Sequence, residues 1–250
     1  GPKENRPVRA EYAWEALEPN QVGIDEFVRW CRKVNTAPML AVNLGTGTAK
    51  SAQELVEYCN FPQGTRWSDL RRKNGAETPH GIRLWCLGNE MDGPWQIGHK
   101  SAEEYARIAH ESGKMMKMAD PSIELVVCGS STRSMPTFAT WDAAVLRETF
   151  EIADYLALHA YFGWKPEDEK RMAFFASPEL LEKQICDLIA VCDFIAAEKK
   201  STRRISLALD EWNIWYRGNP KAHPETRWQV ARPINEETYD MADVIVAGGL

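Results

Sequence analysis

Several things are missing from this 250-residue chain, and each absence removes a class of function. Neither sign of charge dominates: 36 acidic residues face 30 basic ones, a formal net charge of −6. A nucleic-acid polyanion therefore finds no basic excess to bind. No apolar run approaches the ~18 residues of a membrane-spanning helix, and the polar opening Gly1-Pro2-Lys3-Glu4-Asn5-Arg6 has no apolar core behind it to make a signal peptide. Six cysteines are scattered without a C-x-x-C pair or a histidine cluster, so a zinc site is not expected and the thiols read as reduced core residues. Cys186 and Cys192 share a helical stretch without facing one another. Phosphate loops are absent as well. Gly45-Thr46-Gly47 is followed by Lys50 where a dinucleotide fingerprint needs glycine, and Lys50-Ser51 is preceded by Ala49 where a P-loop needs it. Ser130-Ser131 lacks the G-x-S-x-G elbow of a serine hydrolase. No cofactor is implied.

What is present is an ordinary globular composition, 44% apolar with 16 Gly and 14 Pro. Five short apolar runs, at 39–44, 82–87, 125–128, 155–158 and 205–209, do not alternate cleanly between apolar and polar residues, the pattern of strands buried on both faces. Amphipathic helical stretches lie between them, at 24–34, at 102–118 with Ser101 as N-cap, and at 178–199. Strand and helix alternate, which predicts a parallel α/β sheet. Of the two parallel architectures, the closed (β/α)8 barrel is favoured over the doubly wound sheet, because acidic and polar residues gather just past the C-terminal ends of several strands. Five strands are not eight, and both ends look cut. The expectation is a single partial barrel domain over 1–250, an internal piece lacking about three strands, although Gly1-Pro2 also fits an expression scar. The charged stretch 165–171 reads as a solvated loop.

Two strand ends carry acids. Leu84-Trp85-Cys86-Leu87 delivers Asn89 and Glu90 to the mouth of the barrel before the turn at Gly93-Pro94, and Ile205-Ser206-Leu207-Ala208-Leu209 ends in Asp210-Glu211-Trp212-Asn213. Carboxylates from two strands that converge at one mouth suit glycoside hydrolysis: one protonates the departing oxygen, the other attacks the anomeric carbon or activates water. Ten tryptophans, several just beyond strand ends, offer faces on which a sugar's C–H surface stacks. A lone strand-end Glu is more often a solvated or salt-bridging residue, but here both acids are flanked by Asn and Trp. His159 and Tyr161 follow a third strand at the same end, as site residues or as core groups satisfied by backbone.

The segments Cys86-Leu87-Gly88-Asn89-Glu90-Met91-Asp92-Gly93-Pro94-Trp95-Gln96-Ile97-Gly98-His99-Lys100 and Leu209-Asp210-Glu211-Trp212-Asn213 resemble the two catalytic segments of the α-L-arabinofuranosidases of glycoside hydrolase family 51. The stretches 1–7, 41–47 and 125–131 agree with the same family. The resemblance implies a (β/α)8 barrel followed by a β-sandwich, and a retaining, double-displacement release of terminal arabinofuranosyl groups from arabinan, arabinoxylan and related hemicellulose. It implies Glu90 as acid/base, Glu211 as nucleophile, Asn89 as hydrogen-bond partner of the sugar 2-hydroxyl, Tyr161 beside the nucleophile, and Trp14 and Trp215 lining the sugar site; His159 joins them as a substrate-binding candidate from its place after the third strand. The acid is expected to hold its proton near neutral pH with help from its partner's charge. By resemblance the parent protein is a homo-oligomer, a hexamer, and cytoplasmic. The family's site also draws on the first two strands and the last, and its β-sandwich follows the barrel; none of these is in this sequence, so the piece alone is expected to be inactive or weakly active. The alternatives are another retaining barrel glycosidase of endo-glucanase, xylanase or β-galactosidase type, and a carbohydrate-binding fragment without catalysis.

Overall fold

The computed structural model describes residues 1–164, 171–215, 224–232 and 239–250, so the charged stretch read as a loop lies outside the described residues except for Arg171. The chain runs β1 (Arg9–Glu11), β2 (Ala16–Glu18), α1 (Ile24–Lys33), β3 (Met39–Val42), α2 (Ala49–Asn60), α3 (Arg66–Lys73), β4 (Leu84–Leu87), α4 (Ala102–Ala119), β5 (Glu124–Val127), α5 (Thr140–Thr149), β6 (Tyr155–Phe162), α6 (Arg171–Phe175), α7 (Ser177–Glu198), β7 (Ser206–Ile214) and α8 (Met241–Gly249). No described helix is long and apolar enough to cross a membrane.

Strands β3 to β7 form one parallel sheet in sequence order, β3-β4-β5-β6-β7. A doubly wound sheet reverses its order at a switch point, and this one does not. Unbroken order with a helix after each strand is the winding of a (β/α)8 barrel, of which these are five consecutive strands. The two faces bury different residues. Outward, Trp85, Leu87, Leu125, Val127, Leu156 and Leu158 pack under the helices in the main core, each side chain worth about 1.5–3 kcal/mol of burial. Inward, the smaller cluster of Cys86, Val126 and Ala157 packs with Met39, Tyr155 and Ala208. This two-sided burial is why the strand runs carry no alternation.

Helix α4 shows the local logic. Tyr105, Ala106, Ala109, Ser112, Gly113 and Met116 make its buried stripe, and Ser101 and Glu104 cap each other's backbone N–H at its start. At the C-terminal ends of the strands, the β3–α2 and β4–α4 loops touch through glycine. A Cβ on Gly98 would sit 2.4 Å from the Gly45 carbonyl oxygen, and a Cβ on Gly45 would sit 2.3 Å from that of Ile97. Only two bare backbones fit there.

The structure departs from expectation at two places. Strands β6 and β7 run further than their apolar runs, so His159 and Tyr161 lie within β6, and Asp210 and Glu211 within β7, rather than past their ends. Pairing continues because the two strands share a ladder from Tyr155↔Ser206 to Phe162↔Ile214, which hydropathy does not report. The thiols are all free, but only five are buried: Cys186 is exposed, on the solvent side of α7.

Candidate active site

The β6–β7 ladder contains a bulge. Leu158 pairs with Leu209, but His159 pairs with Glu211, which leaves Asp210 as the extra residue. Ala157 and Ala208 face the barrel interior, so two residues further on His159 and Asp210 do too; the inserted position then turns Glu211 inward as well. One irregularity thus points two consecutive acids at one histidine.

Glu90 arrives from the other side, on the loop after β4. Gly88 has φ of 97° and Glu90 itself φ of 44°, a left-handed backbone that a non-glycine residue adopts at a cost of order 1–3 kcal/mol. The reward is aim. His159 Nδ1 lies 3.0 Å from Glu90 Oε1 and 3.5 Å from Glu211 Oε2, while its Nε2 lies 3.4 Å from Asp210 Oδ1. Ligand atoms of Glu90, His159 and Glu211 all fall within 4.8 Å of one another. Glu90 Oε2 accepts hydrogen bonds from the Trp95 indole and from Gln96 Nε2. Glu211 Oε2 accepts one from the Tyr161 hydroxyl at 3.0 Å.

Three carboxylates around one ring decide its charge. Burial disfavours the imidazolium, but contacts with Asp210 and Glu90 and the charge of Glu211 outweigh it and raise His159 to about 10. For Glu90, burial favours the neutral acid, yet the hydrogen bonds from His159 and Trp95 hold it below the usual carboxylate range. The expectation that the acid holds its proton near neutral pH runs against this direction, because the hydrogen bonds from His159 and the Trp95 indole stabilise the Glu90 anion more than burial penalises it. Burial first, then the Glu211 charge, push the Tyr161 phenol up, so it stays a donor. Glu90, His159 and Glu211 have the donor types of a divalent-ion site.

The aromatics assemble beside the carboxylates. Trp215 lies 5.7 Å from the Tyr161 ring and 6.3 Å from Trp14, which the β1–β2 hairpin carries in from far along the chain. The Trp14 carbonyl is held by Arg232, and Leu17 bridges Val230, so the hairpin is tied to the described segment after β7. Asn89 is exposed and separate from the histidine cluster; it lines a cavity of about 220 Å³ with Asn43, Gly45, Gly88 and Gln96. The structure thus brings together Glu90, Glu211, His159, Tyr161, Trp215 and Trp14, and sets Asn89 on the adjoining wall. It adds Asp210 against His159, Trp95 and Gln96 on Glu90, and Asn43 in the cavity. Trp95 and Gln96 stand five and six residues after Glu90 in the same loop, and that nearness in sequence is the signal that would have found them. A larger cavity, about 570 Å³, lies elsewhere, between α1, α2 and α3 around Arg6, Tyr58 and Trp67. We place the site at the carboxylates, where reactive groups converge.

Two carboxylates facing one histidine at the C-terminal ends of a parallel sheet wound in barrel order are the arrangement of one class of barrel, the glycoside hydrolases. Comparison with known proteins narrows the class. Residues 1–165 match the family described as the alpha-L-arabinofuranosidase 1 domain. The chain is 51% identical over its whole length to the intracellular exo-alpha-(1->5)-L-arabinofuranosidase 1 of Bacillus subtilis and 49% identical over 99% of its length to its counterpart in Acetivibrio thermocellus, covering 50% of each. Superposed on the family 51 alpha-L-arabinofuranosidase AbfB of Bifidobacterium longum, it gives a TM-score of 0.93 at 42% identity, over 99% of this chain and 50% of that one. The Thermotoga maritima alpha-L-arabinofuranosidase, solved with arabinose, gives 0.84 at 35% identity, over 100% and 47%. The chain belongs to the α-L-arabinofuranosidase family, glycoside hydrolase family 51. It spans about half the length of the curated relatives it matches.

Proposed function

We propose that these residues form part of the catalytic barrel of a retaining exo-α-L-arabinofuranosidase, with Glu211 as nucleophile and Glu90 as acid/base. The observation that carries this reading is the approach of Glu90 and Glu211 oxygens to within 4.8 Å. Retaining glycosidases hold their carboxyls about 5–5.5 Å apart, whereas inverting ones leave about 6.5–9.5 Å for a water between. In the first step a Glu211 oxygen bonds to the anomeric carbon as the glycosidic C–O bond breaks, and Glu90 gives its proton to the departing oxygen. In the second, Glu90 takes a proton from water, whose oxygen displaces Glu211 from the carbon.

Glu90 must be protonated before the first step. A glycosidic oxygen arriving at Oε2 displaces the Trp95 and Gln96 donors, and with them part of what favours the anion. The proton then lies more easily on Glu90. Tyr161 steadies the nucleophile, Trp14 and Trp215 present aromatic surface to the furanose, and Asn89 reaches the 2-hydroxyl next to the reacting carbon. Relatives named for release of α-(1→5)-linked arabinofuranose support terminal arabinofuranosyl groups of hemicellulose as substrate, and their description as intracellular supports the same location.

The domain reading is that residues 1–250 contribute β3 to β7 and that strands outside this span complete the sugar pocket. The test is hydrolysis of an aryl α-L-arabinofuranoside by the full-length protein and by residues 1–250, with product configuration followed by proton NMR. Turnover with retention by the full-length protein and little by the piece is expected. Inversion, or pyranosides preferred to furanosides, overturns the reading.

A further inference from the structure

The mechanism above uses Glu90 and Glu211 and leaves their third acidic neighbour without a task. Asp210 is the inserted residue of the β7 bulge, and its side chain is largely buried. Its Oδ1 has no hydrogen-bond partner among the described residues. The contacts it does make are an ion-pair approach of 3.4 Å to His159 Nε2 and, through Oδ2, the Cys86 thiol at 3.9 Å. A buried carboxylate with so little hydrogen bonding is costly to keep, and an apolar residue at the bulge would remove that cost. What such a residue would also remove is the only carboxylate, among the described residues, on the Nε2 side of His159, since Glu90 and Glu211 both face Nδ1.

We propose that Asp210 is a positioning residue for the two-carboxylate reaction: from behind, it fixes the His159 ring so that Nδ1–H points between Glu90 and Glu211. This rests on the glycosidase reading given above and deepens it. A neutral imidazole has one N–H, and among the described residues Asp210 is the group at Nε2 that selects which nitrogen carries it. With Asp210 in place both nitrogens are protonated, and Nδ1–H remains available to the acid/base and the nucleophile as their charges change through the cycle. The main chain helps hold the ring's position, since the His159 carbonyl accepts a hydrogen bond from Gln184 of α7. The titratable groups around the ring are Glu90 from the β4 loop, Asp210 and Glu211 from β7, with the Cys86 thiol of β4 against Asp210 and the Tyr161 phenol of β6 against Glu211.

The test is Asp210→Asn in the full-length protein, which keeps shape and removes charge. On an aryl α-L-arabinofuranoside, kcat is expected to fall about 100-fold, with KM close to that of the unmodified protein. The alkaline limb of the kcat profile moves toward lower pH, because removing one of the three anions around His159 makes the protons of this cluster easier to lose. Unchanged kcat, or a loss of activity with the alkaline limb unmoved, overturns the proposal, the second outcome being that of a purely structural residue. Should the variant fail to fold, nitrogen NMR of histidine-labelled unmodified protein decides instead: near neutral pH both His159 nitrogens are expected to be protonated, and a neutral ring overturns it. An unmodified protein that is inert on furanosides sinks the glycosidase reading by itself, while the NMR signal still reports on the His159–Asp210 pair.

Discussion

Among the described residues, two histidines with buried side chains, His80 and His159, each face a carboxylate, and they have different surroundings. His80 Nε2 meets Asp25 Oδ1 at 2.7 Å, Asp25 Oδ2 accepts the Tyr58 hydroxyl at 2.9 Å, and Asn74 donates to that same hydroxyl at 3.1 Å. One carboxylate faces one histidine, and each of its oxygens has a donor. His159, by contrast, faces three carboxylates; among the described residues Asp210 Oδ1 here, and His80 Nδ1 in the first arrangement, have no hydrogen-bond partner. The first arrangement ties α1, α2 and the loop before β4 together. The second stores unbalanced charge at the C-terminal ends of the strands, where a reaction can use it. A His–carboxylate contact is thus no mark of catalysis; an excess of acid over available cation is the better sign.

The largest separation between the two regions should come from Glu211→Ala, which is expected to lower turnover of an aryl α-L-arabinofuranoside 10³-fold or more in order of magnitude. Added azide should restore part of the rate and give an inverted glycosyl azide. Failure of azide to restore any rate would count against a nucleophile there. Glu90→Ala follows, with a loss of about 10²–10⁴-fold on natural linkages and a much smaller one on aryl groups that leave without a proton. Equal losses on both would remove Glu90 from the acid role. Tyr161→Phe deletes one hydrogen bond to a charged acceptor, about 1.5–3 kcal/mol, and so about 10- to 100-fold in kcat/KM.

The other region should respond in stability and not in rate. His80→Ala leaves Asp25 short of a donor and is expected to cost about 1–3 kcal/mol in denaturant unfolding, with kcat per folded molecule unchanged. A drop in kcat would erase the contrast between the two histidines. Burial opposes ionisation of Asp25, but donation from His80 and Tyr58 holds its carboxyl below the ordinary range. Its contribution is therefore fully present above the unfolded-state value of about 4 and is lost as pH falls through the lower folded value. An acid titration of the melting temperature should show this loss, and His80→Ala should shrink it. Smallest of all, one thiol, Cys186, should react rapidly with a maleimide in the native protein while the five buried ones react only on unfolding.

Much of this was legible in order along the chain. Runs of branched residues marked all five parallel strands, Ser101 marked the start of α4, and Asn89-Glu90 and Asp210-Glu211 stood out as acids where a barrel keeps its chemistry. The rest was hidden for specific reasons. The β1–β2 hairpin has only three residues in each strand, too few for a period to register. The hidden part of β6 and β7 depends on pairing between strands some fifty positions apart. Strand alternation would send Asp210 and Glu211 to opposite faces, and only the bulge sends them to the same one.

By itself the sequence determined the parallel α/β class and the family and singled out Glu90 and Glu211 as candidates, since these follow from hydropathy period, motif resemblance and strand-end chemistry, all local along the chain. Only the tertiary structure decided where the protons sit. Whether Glu90 or His159 holds one depends on which donors and charges lie within about 4 Å, and those come from the β4 loop, β6 and a bulged β7 at once.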